Sequence, residues 1–182
     1  MAERVHVCAT AGNLSASCCA LARELVVRAP MRLEIESVDR LCSVGLTRGD
    51  KTDMIQGCCH CGEVRWTFEG QPDGATICNC TVCRRYGVLW AYDYEGEGIK
   101  VSGKTQPYVR GEAIEFHFCP VCGCVAFWRA QQKNQEGRRR IAVNLRLAEP
   151  EAVANVPIDH FDGLNTFADL PRSGRCVADY WF

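Results

Sequence analysis

A mainly β, antiparallel fold with few short helices is predicted by two features of this 182-residue sequence. From Met54 onward, short runs of alternating apolar and polar residues are separated by Gly, Pro and Asp, the pattern of half-buried strands joined by turns. The fourteen cysteines concentrate, from Cys58 to Cys124, in CxC and CxxC spacings that read as tight knuckles beside those strands.

Residues 1–53 read differently. Their four cysteines (Cys8, Cys18, Cys19, Cys42) have no ligand-like spacing, and seven basic residues balance seven acidic ones. Leu14, Cys18, Leu21 and Leu25 share one face of a helix expected over Ser15 to Val27, capped by Asn13 or Ser15 and ended at Pro30. The run Val5 to Ala22 lacks charged side chains but is broken by His6, Thr10, Gly12, Asn13, Ser15 and Ser17. It therefore lacks the continuous apolar centre of a signal peptide or membrane span. Met54 stands directly before the cysteine-rich part, so residues 1–53 are expected to be an N-terminal extension, helical or poorly ordered, or the product of an upstream start. Residues 54–182 form the main domain.

In that domain Val64, Trp66 and Phe68 alternate with Arg65, Thr67 and Glu69, giving a half-buried strand after the first knuckle. Further strands are expected near Val88 to Tyr94, Ile99 to Ser102, Gln106 to Val109, Glu115 to Phe118, Val125 to Arg129 and Arg140 to Leu145. Turns fall at Glu95 to Gly98 and at Arg110 to Glu112. Arg138-Arg139-Arg140 reads as a charged hairpin connection. A short helix near Glu149 to Ala154 and an ordered wrap complete the chain.

Charge and hydropathy remove some function classes. The net charge of −1 leaves no basic footprint for a general nucleic-acid partner. No segment is long and apolar enough to read as a membrane span. A secreted disulfide framework is the first explanation for so many cysteines, but the spacing opposes it. Two cysteines one residue apart point away from each other on a strand, whereas a knuckle turns both toward one metal. Zinc thiolate is the better reading, and a reducing, cytoplasmic location follows as an expectation.

A structural zinc takes four protein ligands. Cys59 and Cys61 supply two and Cys119 and Cys122 two more, closing a long loop with a metal. Cys78, Cys80 and Cys83 remain as a unit of three, the arrangement of a catalytic zinc with an open position. Cys58 and Cys124 could exchange with their neighbours, and Cys124 could close the second site. His60 and His117 flank the thiol groups as candidate ligands. His160 is a candidate general base, against a structural role in an aromatic tail. Trp66, Trp90, Trp128, Phe127 and Tyr92 read as core ahead of a substrate platform.

The motifs CxCG (Cys59 to Gly62), CxCxxCRR (Cys78 to Arg85) and CPxCG (Cys119 to Gly123) together resemble the glutathione-dependent formaldehyde-activating enzymes, a family that includes centromere protein V. The resemblance spans residues 56 to about 171. It implies a zinc-containing, tent-like β fold with two zincs per chain. Cys59, Cys61, Cys119 and Cys122 would hold a structural ion, and Cys78, Cys80 and Cys83 a catalytic one. Asn79, where many members have His, and Cys124, where Thr or Ser is common, depart from the pattern.

The implied function is that of a carbon–sulfur lyase joining formaldehyde and glutathione to give S-(hydroxymethyl)glutathione, with glutathione or its aldehyde adduct as small-molecule partner. Three thiolates around Zn²⁺ leave a formal charge of −1. Arg84 and Arg85 are expected to offset it, one screening the site and the other gripping a substrate carboxylate; the alternative for them is a surface ion pair. The competing function is a noncatalytic zinc-stabilised β module that binds a protein.

Overall fold

The computed structural model describes residues 54–181, and the helix expected over Ser15 to Val27 lies outside them. Two sheets form the domain. β1 (Met54–Cys58), β2 (Arg65–Glu69) and β5 (Ile99–Ser102) make a three-stranded antiparallel sheet in the order β1-β2-β5. The other strands are β3 (Ala75–Cys78), β4 (Trp90–Tyr94), β6 (Gln106–Arg110), β7 (Ile114–Phe118), β8 (Val125–Ala130), β9 (Arg140–Asn144), β10 (Ile158–Asp162) and β11 (Ala168–Leu170). They form an eight-stranded sheet in the order β11-β10-β3-β4-β9-β8-β7-β6. Three helices of four residues each, α1 (Cys83–Tyr86), α2 (Pro150–Val153) and α3 (Ala178–Trp181), leave the domain mainly β, as expected.

The period of two decides what each face of the large sheet does. Ala91 of β4, Phe127 of β8, and Ile141 and Val143 of β9 pack with Ile55, Trp66, Phe68 and Ile99 of the small sheet, forming the principal core. Trp90, Trp128 and Ala142 alternate onto the opposite face and join Cys80, Cys83 and Phe116 in a second cluster. That face carries the candidate site.

Strands expected from alternation fall where they were placed, within a few residues. The tail departs from the antiparallel expectation. Its β10 inserts between β3 and β11 and pairs parallel with β3, matching Phe161 to Cys78. The arginine run is split as well. Arg138 forms ion pairs with Glu136 (2.7 Å) and Glu97 (3.4 Å) in the hairpin connection, but Arg140 belongs to β9. No helix among the described residues is long and apolar enough to cross a membrane.

Candidate functional site

Three short segments bring the thiols together. The first knuckle follows β1, with the Gly62 N–H donating to the Cys59 carbonyl at 2.8 Å. The second joins β7 to β8 in the same way: the Gly123 N–H donates to the Cys119 carbonyl at 2.9 Å. Gly123 sits at φ 75°, a backbone state that costs a side-chain-bearing residue, which explains the glycine closing CPxCG. These turns gather the sulfurs of Cys59, Cys61, Cys119 and Cys122 within 4.8 Å of one another. Cys59 and Cys119 are fully buried, and Cys61 is exposed.

The donor set fits a tetrahedral ion. Bonds of about 2.3 Å to zinc would separate the sulfurs by roughly 3.8 Å. Cys59 and Cys61 are 3.6 Å apart and Cys61 and Cys119 3.5 Å, far longer than a disulfide. The Val64 N–H donates to Cys59 Sγ at 3.2 Å, a contact that favours thiolate. Burial pushes the Cys122 thiol up, but the backbone N–H groups of Cys124 and Cys61 outweigh it and hold that thiol down at about 6. A backbone N–H at Glu63 pulls the Cys61 thiol down, but desolvation and then the neighbouring Cys119, Cys59 and Cys122 thiols outweigh it and hold that thiol up at about 12. Four thiolates this close repel one another, so a cation is what allows all of them to ionise.

The second group is built on β3 and α1. Cys78 ends β3, and the turn through Cys80 runs into α1 at Cys83, which Gly87 closes with an N–H to the Cys83 carbonyl at 2.9 Å. The three sulfurs lie within 4.8 Å of one another. Backbone N–H groups of Cys80 and Cys83 donate to Cys78 Sγ and Cys80 Sγ at 3.4 Å each, and Trp90 Nε1 donates to Cys83 Sγ at 3.3 Å. Burial raises the Cys83 thiol, whereas N–H groups from Cys83 and Val82 overcome burial at Cys80 and lower it. A soft, three-sulfur donor set of this kind also suits zinc.

Asn79, between two of these cysteines, ties the knuckle to the loop after β10. Its amide donates to Asp162 Oδ1 at 2.8 Å and accepts from the Leu164 N–H at 3.0 Å. Gly163 lies close beneath, where an added Cβ would meet Cys78 Sγ at 2.9 Å. No sequence pattern pointed to this latch, because its halves are more than eighty residues apart.

The three thiols open into a cavity of about 360 Å³. Its floor is the second face of the large sheet: Trp90 and Tyr92 of β4, Phe116 of β7 and Trp128 of β8. Trp66 and Phe127 are core, as read from the sequence, but Trp90, Tyr92 and Trp128 also line the cavity. Burial pushes the Tyr92 hydroxyl up to about 12, so it stays protonated at neutral pH and can donate a hydrogen bond. Charge in the wall comes from Arg110, Arg140 and Asp169.

Arg84 and Arg85 stand on α1 directly after Cys83, and both are exposed. Neither lines this cavity; Arg85 donates to the Thr81 carbonyl and borders a separate recess with Tyr86 and Tyr108. The other candidates also have positions. Cys58 and Cys124 belong to neither thiol group. His60 is exposed. Both ring nitrogens of His117 are engaged, Nδ1 lying 2.9 Å from Thr105 Oγ1 and Nε2 3.0 Å from Glu115, and neither points to a thiol group. His160 stands edge-on to Tyr180 outside the cavity lining, which Phe161 enters instead.

Comparison with protein families matches residues 54–155 to the glutathione-dependent formaldehyde-activating enzymes. The chain belongs to this family. No curated protein matches the chain at a significant level. Membership supports a glutathione- and formaldehyde-related function, and the matched span contains all seven thiols of the two groups and both cavity arginines. Phe161, Phe167 and Asp169, which close the cavity from β10 and β11, lie beyond it.

Proposed function

We propose that the protein is a zinc-dependent carbon–sulfur lyase acting on a glutathione–aldehyde adduct, with formaldehyde and glutathione giving S-(hydroxymethyl)glutathione as the reference reaction. One observation carries this reading: a three-thiol group opens into a cavity, while a separate four-thiol group has its full set of ligands without it. Cys78, Cys80 and Cys83 would hold the catalytic ion, and Cys59, Cys61, Cys119 and Cys122 the structural one. A zinc ion bound to three thiolates supplies a position where a thiol can ionise near neutral pH and where an oxygen can be polarised.

The chain's own residues do the rest. The backbone N–H donors and Trp90 hold the three sulfurs in place. The neutral Tyr92 hydroxyl offers a donor to the carbonyl oxygen that gains a proton as the carbon–sulfur bond forms. The thiol proton leaves sulfur and the oxygen acquires one, so no oxidant or reductant is needed. Trp90 and Trp128 exclude water from the reacting carbon. Arg84 and Arg85, the two residues after Cys83 on α1, would place positive charge near the three thiolates.

The test is exchange NMR of formaldehyde with glutathione, with and without zinc-loaded protein. Acceleration above the spontaneous rate, abolished in Cys80→Ser with circular dichroism unchanged, is the expected result. Absence of acceleration, with two equally inert metals, would favour the noncatalytic protein-binding module.

A further inference from the structure

Four arginines of the described domain have carboxylate partners close by. Arg129 pairs with Glu95, Arg138 with Glu136, Arg139 with Glu95 and Arg172 with Asp159. The two that line the cavity do not. Arg140 only stacks on Tyr92, its guanidinium carbon 4.9 Å from the ring centroid. Arg110 pairs through its backbone at the end of β6, but its half-buried side chain has no hydrogen bond or ion pair among the described residues. Asp169, across the same cavity on β11, is also without an ionic partner among them. A forked guanidinium facing an aromatic cavity with no carboxylate of its own is a receptor for one from outside.

We infer that Arg110, Arg140 and Asp169 are the specificity-determining residues of the cavity and recognise a γ-glutamyl tripeptide thiol by its charges. The inference rests on the function proposed above and deepens it. At neutral pH glutathione carries two carboxylates, one ammonium group and one thiol. The cavity presents two guanidiniums, one carboxylate and a three-thiol group, a complementary set. Strand order explains how they meet. Arg140 lies on the cavity side of β9, in phase with Ala142, and Arg110 comes from the outer strand of the same sheet. Asp169 comes from the opposite end, two strands beyond Cys78. The thiol group thus has the carboxylate receptors on one side and the ammonium receptor on the other. The volume of about 360 Å³ is at the lower end of the roughly 300–1,000 Å³ of small-molecule sites, which suits a tripeptide.

The experiment uses the full zinc-loaded chain and measures binding by calorimetry and KM by turnover. Arg110→Gln and Arg140→Gln are each expected to weaken glutathione about 10-fold or more, with 2-mercaptoethanol unaffected. Arg140→Lys, which keeps the charge without the fork, is expected to fall between. The glycyl ethyl ester of glutathione is expected to bind wild type less tightly, with no further loss in one of the two Gln variants. Asp169→Asn is expected to weaken glutathione but not its N-acetyl derivative. Unchanged glutathione binding in both Gln variants overturns the inference, as does an equal loss for 2-mercaptoethanol. Arginine-dependent binding without turnover upholds it and sinks the lyase; turnover and binding indifferent to these substitutions do the reverse.

Discussion

Five donors converge on the buried carboxylate of Asp162: the Asn79 amide at 2.8 Å, the Thr166 hydroxyl at 2.9 Å, the N–H groups of Thr166 and Asn165 at 3.1 and 3.2 Å, and the Asn165 side-chain amide at 3.4 Å. The Asn79 amide first, and then the Thr166 N–H, hold its pKa below the usual carboxylate range. A depressed carboxylate stabilises the fold above the unfolded pKa of about 4, and that stability is lost as pH falls through the folded value. Asp162→Ala is therefore expected to lower Tm at pH 7, with the gap to wild type narrowing only below about pH 4. A gap that closes between pH 7 and 5 would assign the effect to another group. Because this latch carries Asn79, between two thiols of the second group, Asp162→Ala is also expected to weaken metal retention there. Residue by residue, the two thiol groups were legible in the sequence and the arginines that line the cavity were not. CxC and CxxC spacings are local and depend only on the chain's own turns. Arg84 and Arg85 adjoin Cys83 in sequence, but α1 rotates about 100° per residue and carries them to the exposed side. Arg110 and Arg140 reach the cavity through the order of strands, which no local pattern encodes.

The same distinction holds for whole elements. β5 lies where alternation placed it, Ile99–Ser102, and β2 within a residue. β1 was invisible because Gly57 reads as a turn signal. It is a core position in β1, where the Trp66 indole occupies the space a side chain would take; an added Cβ would stand 2.2 Å from that ring. Gly57→Ala is expected to cost about 1–3 kcal/mol by overpacking, read as a lower urea midpoint with unchanged slope. A neutral result would mean Trp66 has room to turn. β3 and β10 escaped notice for another reason. They pair parallel across some eighty residues of intervening chain, so neither is part of a hairpin with turn residues to mark it. Their pairing nevertheless sets Phe161 beside Cys78 and closes one end of the cavity.

At the scale of the molecule, the four-thiol group joins the two sheets. Its first knuckle lies between β1 and β2 of the small sheet, its second between β7 and β8 of the large one. A structural zinc contributes about 10–16 kcal/mol in small peptides, comparable to the roughly 5–15 kcal/mol stability of a whole domain. The three-thiol group gathers residues from one short segment, Cys78 to Cys83, and closes no long loop. The two metals proposed here therefore have unequal structural weight. Truncation to residues 54–182 is expected to retain both, since all seven thiols lie within it; loss of soluble protein would show that residues 1–53 are integral. Chelator titration of zinc-loaded protein is expected to proceed in two phases. The first removes one equivalent and any activity while the far-ultraviolet spectrum is unchanged. The second removes the other together with the folded signal. Cys83→Ser is expected to skip the first phase, and Cys119→Ser to abolish cooperative unfolding altogether. A single phase, or a fully stripped chain that still melts cooperatively near the wild-type Tm, would mean that the principal core between the sheets holds without the clip.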